Sequence, residues 1–173
     1  MREYCKPTIQ DAIYLAEHLN AANKREMTAT CGKHILRDLL DGMKHSEKIG
    51  CCKFDGVPVA IYGVRRFSPL ADYGLVWLFL GDIKKEDRYY AALQTKRFIQ
   101  ALLVDYSYVY NYVDVGNEKI IRWLKFLGAE FSEPEEFGLY RNKHLRFIIR
   151  RKNGSNRIND RADCRHRNME SKD

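Results

Sequence analysis

The segment Tyr73–Leu80, YGLVWLFL, is an almost wholly apolar run of strand length. Pro69 and Asp72 precede it and Gly81-Asp82 follows, so it is bounded by turn formers on both sides. A run that is apolar at every position, without alternation, fits a strand covered on both faces, and it predicts the central strand of a sheet. After a polar stretch over residues 84–87, residues 88–105 place Leu93, Phe98, Ile99, Leu102 and Leu103 at helical spacing. Residues 109–115, VYNYVDV, then alternate in the manner of a strand. A strand, a crossover helix and a strand make two parallel neighbours in one sheet. Such a pair is expected to diverge, or to present free backbone groups, where the chain leaves the sheet, a natural place for a ligand.

The remaining elements are built around that unit. Residues 2–6 suit a short strand. Thr8 with Asp11 three positions on predicts a helix start, and Ile9, Ala12, Ile13, Ala16 and Leu19 give it one apolar face to about Asn20. A second helix is predicted over residues 33–43 from Ile35, Leu36, Leu39, Leu40 and Met43. Residues 49–54 and 57–67 flank Asp55-Gly56, the turn dipeptide of a tight hairpin, and predict two antiparallel strands. After Gly116-Asn117, residues Ile120, Ile121, Trp123, Leu124 and Leu127 form a helical stripe that Gly128 stops. Residues 129–131 resume a strand, residues 133–136 with Pro134 interrupt it, and residues 138–140 and 145–150 make a last hairpin. The predicted fold is a mixed α+β sheet flanked by helices, in the order β-α-α-β-β-β-α-β-α-β-β.

A chain of 173 residues suits one domain. No apolar run approaches the roughly 18 residues that span a bilayer, and residues 1–7 lack the apolar core of a secretion signal, so a soluble intracellular protein is expected. The five cysteines, Cys5, Cys31, Cys51, Cys52 and Cys164, form no CxxC pair, and the adjacent Cys51 and Cys52 would point to opposite faces of a strand. No metal site is expected. Of the net charge of +7, the stretch from Arg150 onward carries eight Lys or Arg against four Asp or Glu, which puts +4 there and leaves +3 for the rest. The expected division is therefore a folded domain over residues 1–151 and a basic, flexible tail over residues 152–173, either solubilising or in contact with nucleic acid or another anionic surface.

With that order of elements in place, the stretch Asn117 to Phe131, NEKIIRWLKFLGAEF, resembles the late motif of the GNAT N-acyltransferases, an Asn opening a helix that ends in a Leu-Gly-aromatic step. The longer stretch YNYVDVGNEKIIRWLKFLGAEF also resembles the internal virion protein A family of T7-like phages, whose members are GNAT-like, most strongly over residues 108–131. The resemblance implies a GNAT-like mixed sheet over residues 1–151 and acetyl-CoA as cofactor. In that scheme the backbone of Leu78, Phe79 and Leu80 holds the pantetheine arm, Lys84, Lys85 and Arg88 hold phosphate, and Asn117 bonds the cofactor's amides. For the general base that amine acetylation needs, the candidates are Glu26, Asp82 and Asp114, each equally explained by solvation or capping.

Two positions depart from the GNAT pattern. The turn after the central strand reads GDIKKEDRYYAA, so Gly81 comes too early to cradle a pyrophosphate, and Glu86 and Asp87 set negative charge where a polyanion would dock. The Tyr that the family places seven residues after the Asn, as thiolate acid, is Leu124. Tyr106, Tyr108, Tyr110 and Tyr112, spaced by two, suggest an aromatic row, either a stacking platform or core packing. Two classes of function therefore stand side by side. One is an acetyl-CoA-dependent N-acetyltransferase with degenerate motifs. The other is a non-catalytic phage virion-assembly or internal virion protein that uses the GNAT scaffold for contacts with phage structural proteins, or a host-directed effector that contacts host proteins. The resemblance implies localisation in the host cytoplasm or with the virion.

Overall fold

In a computed structural model, which describes residues 1–151, the central strand pairs on both sides. The strands are β1 (Arg2–Cys5), β2 (Lys48–Phe54), β3 (Val57–Arg65), β4 (Tyr73–Leu80), β5 (Tyr108–Asp114), β6 (Glu130–Phe131), β7 (Glu135–Phe137) and β8 (Asn142–Arg150). The helices are α1 (Ile9–Glu17), α2 (Ala21–Cys31), α3 (Ile35–His45), α4 (Arg88–Asp105) and α5 (Glu118–Leu127), with one 3-10 turn at Lys85–Asp87. All eight strands join one sheet in the order β1-β2-β3-β4-β5-β8-β6, and β7 also pairs with β8. Every pairing is antiparallel except that of β4 with β5. The central YGLVWLFL strand and its parallel neighbour across α4 are where the pattern of apolar residues put them.

Helices cover both faces. Val76 of β4 joins Ile99, Leu102, Tyr106, Val109, Val113 and Leu124 in a buried cluster with α4 and α5. Phe79 and Trp77 enter the opposite cluster with Ala12, Leu15, Leu39 and Ile61, beneath α1 and α3. Alternate residues of one strand thus serve two cores, which is why this strand tolerates no polar side chain. A fully buried Leu102 or Leu39 contributes roughly 1.5–3 kcal/mol over an exposed one. Cys51 and Cys52 likewise enter different clusters, and burial pushes the Cys51 thiol up to about 12.

Local sequence accounts for most element ends. Thr8 and Asp11 form a reciprocal cap on α1: the Asp11 N–H donates to Thr8 Oγ1 (3.2 Å) and the Thr8 N–H donates to Asp11 Oδ2 (2.9 Å). Asp11 also meets Lys53 Nζ at 2.8 Å, which fixes α1 to β2. Asp55 and Gly56 have φ of 53° and 80°, as the tight hairpin turn requires. On β3, a Cβ at Gly63 would lie 2.6 Å from the Trp77 ring, whose Nε1–H donates to Ser46 Oγ at 2.8 Å; only glycine lets that indole lie on the sheet.

The element order differs from the sequence expectation at three places. An additional helix, α2, stands between α1 and α3, because its residues AANKREMTATC have no apolar stripe and its stability comes from polar contacts. The last hairpin begins at β7, residues 135–137, and not at 138–140. Gly138 (φ 78°) and Arg141 (φ 52°) turn the chain there, and the open edge of β8 pairs with Glu135, Glu136 and Phe137 in spite of the neighbouring Pro134. Residues 66 and 67 lie beyond the end of β3, where Arg66 folds back to donate from Nη1 to Ala71 O at 3.0 Å. The expected basic tail, residues 152–173, lies outside the described residues.

Candidate functional site

The parallel ladder between β4 and β5 lasts for three pairs, Tyr73↔Tyr108, Gly74↔Val109 and Leu75↔Tyr110, and then the strands part. Gly81 N–H bonds Val59 O on β3, whereas the main chains of Val76 and Leu80 bond groups on the β5 side, so by strand alternation Val76, Leu78 and Leu80 present their backbone to the gap. Phe79 has the opposite parity: its main chain belongs to the β3 side and its side chain is buried in the core. Of the backbone trio expected to hold an extended ligand, Leu78 and Leu80 face the gap and Phe79 does not.

The chain's own side chains already occupy much of that gap. At its base Asn111 Nδ2 donates to Val76 O (2.6 Å), while Asn111 Oδ1 accepts from the Tyr112 N–H (2.7 Å). At its mouth the Leu80 N–H donates to Asn23 Oδ1 (2.9 Å). The Asn20 N–H and Nδ2 both donate to Leu80 O, each at 3.0 Å, and Nδ2 also lies 3.2 Å from Gly81 O. Across the gap the Asp114 N–H at the end of β5 donates to Glu26 Oε1 (3.0 Å), and Asn117 Nδ2 donates to Glu26 Oε2 (2.9 Å). Helix α2 therefore bridges the ends of the two strands. At its far end Thr30 O accepts from the Leu139 N–H (3.2 Å) of the β7–β8 turn.

Three candidates named on different segments, Glu26, Asp114 and Asn117, thus meet in one cluster. Burial raises the Glu26 carboxyl above the ordinary carboxylate range, and the Asp114 carboxylate works in the same direction; the Asp114 N–H, the Asn117 amide and His144 work against it. A carboxyl shifted upward in this way suits acid or base chemistry, yet both oxygens are engaged as acceptors. Asn117 is also internally satisfied, since its Oδ1 caps α5 by accepting from the Ile120 N–H at 3.4 Å. His144, which no sequence signal marked, sits opposite Asp114 on β8 and is buried. Its Nδ1 lies 2.9 Å from Asn142 O, an arrangement that puts the proton on Nδ1 and leaves Nε2 buried without a hydrogen-bond partner among the described residues. Only its register with Asp114, once the strands are paired, could have indicated it.

The turn after β4 is a separate place. Asp82, Lys84, Lys85, Glu86 and Arg88 are exposed, and Arg88 Nε donates to Ile83 O at 3.3 Å. Asp87 is buried and held by Arg2, at 2.9 Å from Nε and 2.8 Å from Nη2. Its charge is therefore neutralised from β1 and is not aimed at a ligand. Gly81 has a structural reason: a Cβ there would lie 3.1 Å from His18 O, where the chain after α1 bridges to β4. Leu124, in the position of the family's Tyr, packs in the α4–α5 core. Tyr108 stacks on Tyr73 (5.2 Å), Tyr112 stacks on Phe137 (3.9 Å), and Tyr106 leaves the row to donate from its hydroxyl to Glu47 at 2.5 Å. A surface hollow lined by Tyr4, Lys6, Met43, Ser46 and Lys48 opens beside β1, away from the gap.

No curated protein sequence matches the chain. A family profile described as "Bacteriophage T7, probable scaffold protein Gp13" matches residues 71–137, a span that includes residues 108–131. Among solved structures the chain is similar to an N-acetyltransferase from Staphylococcus aureus Mu50, with 14% identity, a TM-score of 0.65, and coverage of 87% of this chain and 98% of that one. It is also similar to the spermidine N-acetyltransferase from Vibrio cholerae in complex with CoA and spermine (13% identity, TM-score 0.62, 86% and 95% covered). A third is the microcin C7 self-immunity acetyltransferase MccE in complex with acetyl-CoA and AMP (10%, 0.65, 87% and 92%). The mixed sheet, the parallel β4–β5 pair that opens after three rungs, and the flanking helices are those of a GNAT acetyltransferase fold.

Proposed function

We propose that this chain is a phage assembly protein of the scaffold type, which keeps the acetyltransferase fold as a platform for protein contacts and has closed its cofactor cleft with its own side chains. The observation that carries this reading is the occupation of the β4–β5 gap: Asn111 takes Val76 O, Asn23 and Asn20 take the Leu80 amide and carbonyl, and Glu26 takes Asn117. A cofactor that needs those groups would first have to break these bonds, each worth about 1 kcal/mol net. The turn after β4 does not fit a pyrophosphate either, because it has no glycine after Gly81. The similarity of residues 71–137 to the T7 scaffold family supports the partner class, namely other phage structural proteins.

Isothermal titration with acetyl-CoA tests the closed cleft: no saturable heat at millimolar ligand is expected. Deletion of the gene tests the assembly role, with loss of mature particles expected; normal particles from the deletion strain would remove that role.

A second reading is favoured by one specific observation. The Leu78 backbone faces the gap beyond the ladder, and the Glu26 carboxyl, raised by burial, sits at the end of β5, where it accepts from the Asp114 N–H. This supports an acetyl-CoA-dependent N-acetyltransferase in which Leu78 meets the pantetheine arm, Lys84, Lys85 and Arg88 meet phosphate, and Glu26 is the base. Saturable heat with acetyl-CoA, diminished by removing the charges of Lys84 and Lys85, would establish that reading in place of the first.

A further inference from the structure

Helix α2 differs from the other helices in how it is held. None of residues 21–30 is fully buried, and Met27 alone among them packs as a partly buried side chain on a core cluster. Its side-chain anchors are instead polar and fall at Asn20, Asn23 and Glu26, three residues apart and therefore on one face of the helix, while near its end the Thr30 carbonyl accepts from the Leu139 N–H. What that face covers is main chain. The Leu80 N–H and C=O on β4 and the Asp114 N–H on β5 are bonded to α2 and not to another strand. The backbone leaves the helical conformation at both ends of α2, at Asn20 (ψ 154°) and at Gly32. At one end the Leu19–Gly81 bridge pins the chain just before the helix, and at the other Gly32 has φ 89°.

We propose that α2 is a displaceable lid over the β4–β5 gap, which opens as one unit and uncovers the backbone edges of both strands. The inference uses the same contacts as the function proposed above and concerns the regulation of that same site. A helix whose anchors share one face cannot release the middle anchor while holding the outer ones without bending, so the contacts to β4 and to β5 are coupled through it. Elements with few buried apolar contacts belong to the low-stability end of a fold and open below the global unfolding limit.

Amide hydrogen exchange by NMR on the full chain tests this. The Leu80 and Asp114 amides should exchange with the protection of the α2 amides, on the order of 100-fold less protected than Ile61 and Val109 in the two cores. The diagnostic variant is Glu26→Ala, read at Leu80. The Leu80 amide bonds Asn23 on the other strand's side of the gap, so it should exchange at least about 10-fold faster only if α2 opens as a unit, with Ile61 and Val109 unchanged. An unchanged Leu80 rate, or equal acceleration of Ile61 and Val109, would overturn the lid. Should Glu26→Ala fail to fold, the wild-type pattern decides: Leu80 and Asp114 exchanging only at the global rate would exclude a separate opening. Because no cofactor enters the measurement, a failed lid and a failed closed-cleft reading are separable: the first is seen in exchange, the second in the acetyl-CoA titration.

Discussion

Replacing Asn111 tests the base of the gap most directly. Its Nδ2 donates to Val76 O at 2.6 Å and its Oδ1 accepts from the Tyr112 N–H at 2.7 Å, where the ladder has just ended and no strand partner can substitute. Asn111→Ala removes both. The Tyr112 bond contributes about 1 kcal/mol net, and the Val76 carbonyl left unmatched costs about 1–3 kcal/mol, so the loss should be about 2–4 kcal/mol. For a chain of this length, each kcal/mol moves Tm by about 2–4 °C, giving a fall of roughly 4–16 °C. Asn111→Asp adds a sign test. Its carboxylate would set an acceptor against the Val76 carbonyl, which raises the folded-state pKa of the new group. Its stability is then fully present below the unfolded value of about 3.9 and is lost as pH rises through the folded value. Urea unfolding at neutral pH and near pH 4 reads both effects: relative to Asn111→Ala, the Asp variant should gain stability on acidification, as its protonated oxygen regains a hydrogen to donate. A loss below about 0.5 kcal/mol for Asn111→Ala, or parallel pH profiles for the two variants, would refute the bridging role.

Two further predictions concern the frame. Asp11 is held below the ordinary carboxylate range by Lys53 and by the Thr8 hydrogen bonds, which outweigh the opposing effect of burial; the stability it supplies is present above its unfolded pKa and is lost as pH falls through the lower folded value. Asp11→Asn should cost about 1.5–3 kcal/mol at pH 7 and flatten that acid limb of the urea-midpoint profile. Gly63→Ala drives a Cβ to 2.6 Å from the Trp77 ring and 3.0 Å from Lys48 O, so a loss of about 1–3 kcal/mol with a changed near-ultraviolet circular dichroism signal is expected; a neutral variant would show that the indole can move aside.

The architecture was readable where burial dictates residue type. Tyr73–Leu80 serves two cores and therefore has to be apolar throughout, and Asp55-Gly56 is demanded by positive φ at both turn positions. Helix α2 was not readable, because AANKREMTATC shows no stripe for a helix that is fixed by asparagine and glutamate side chains. For the same reason the candidate residues could be named but not assembled. Glu26 and Asn117 are 91 positions apart, and nothing local says that an N-cap asparagine will spend its amide on a carboxylate from another helix. Asp87 could be seen as a charge in the wrong place for phosphate, but not as the partner of Arg2, 85 residues earlier. Polar contacts of high sequence separation leave no periodic trace.

The amide side chains lying across the β4–β5 gap have an arithmetic consequence. They act as a tethered competitor whose local concentration does not fall on dilution, so any molecule that uses the Leu80 backbone meets an apparent dissociation constant equal to its intrinsic one divided by the fraction of chains with that backbone bare. If one chain in a hundred were bare, an intrinsic micromolar binder would be measured at about 100 micromolar. Occupancy of this cleft is thus governed by an equilibrium within the protein as much as by the fit of whatever arrives.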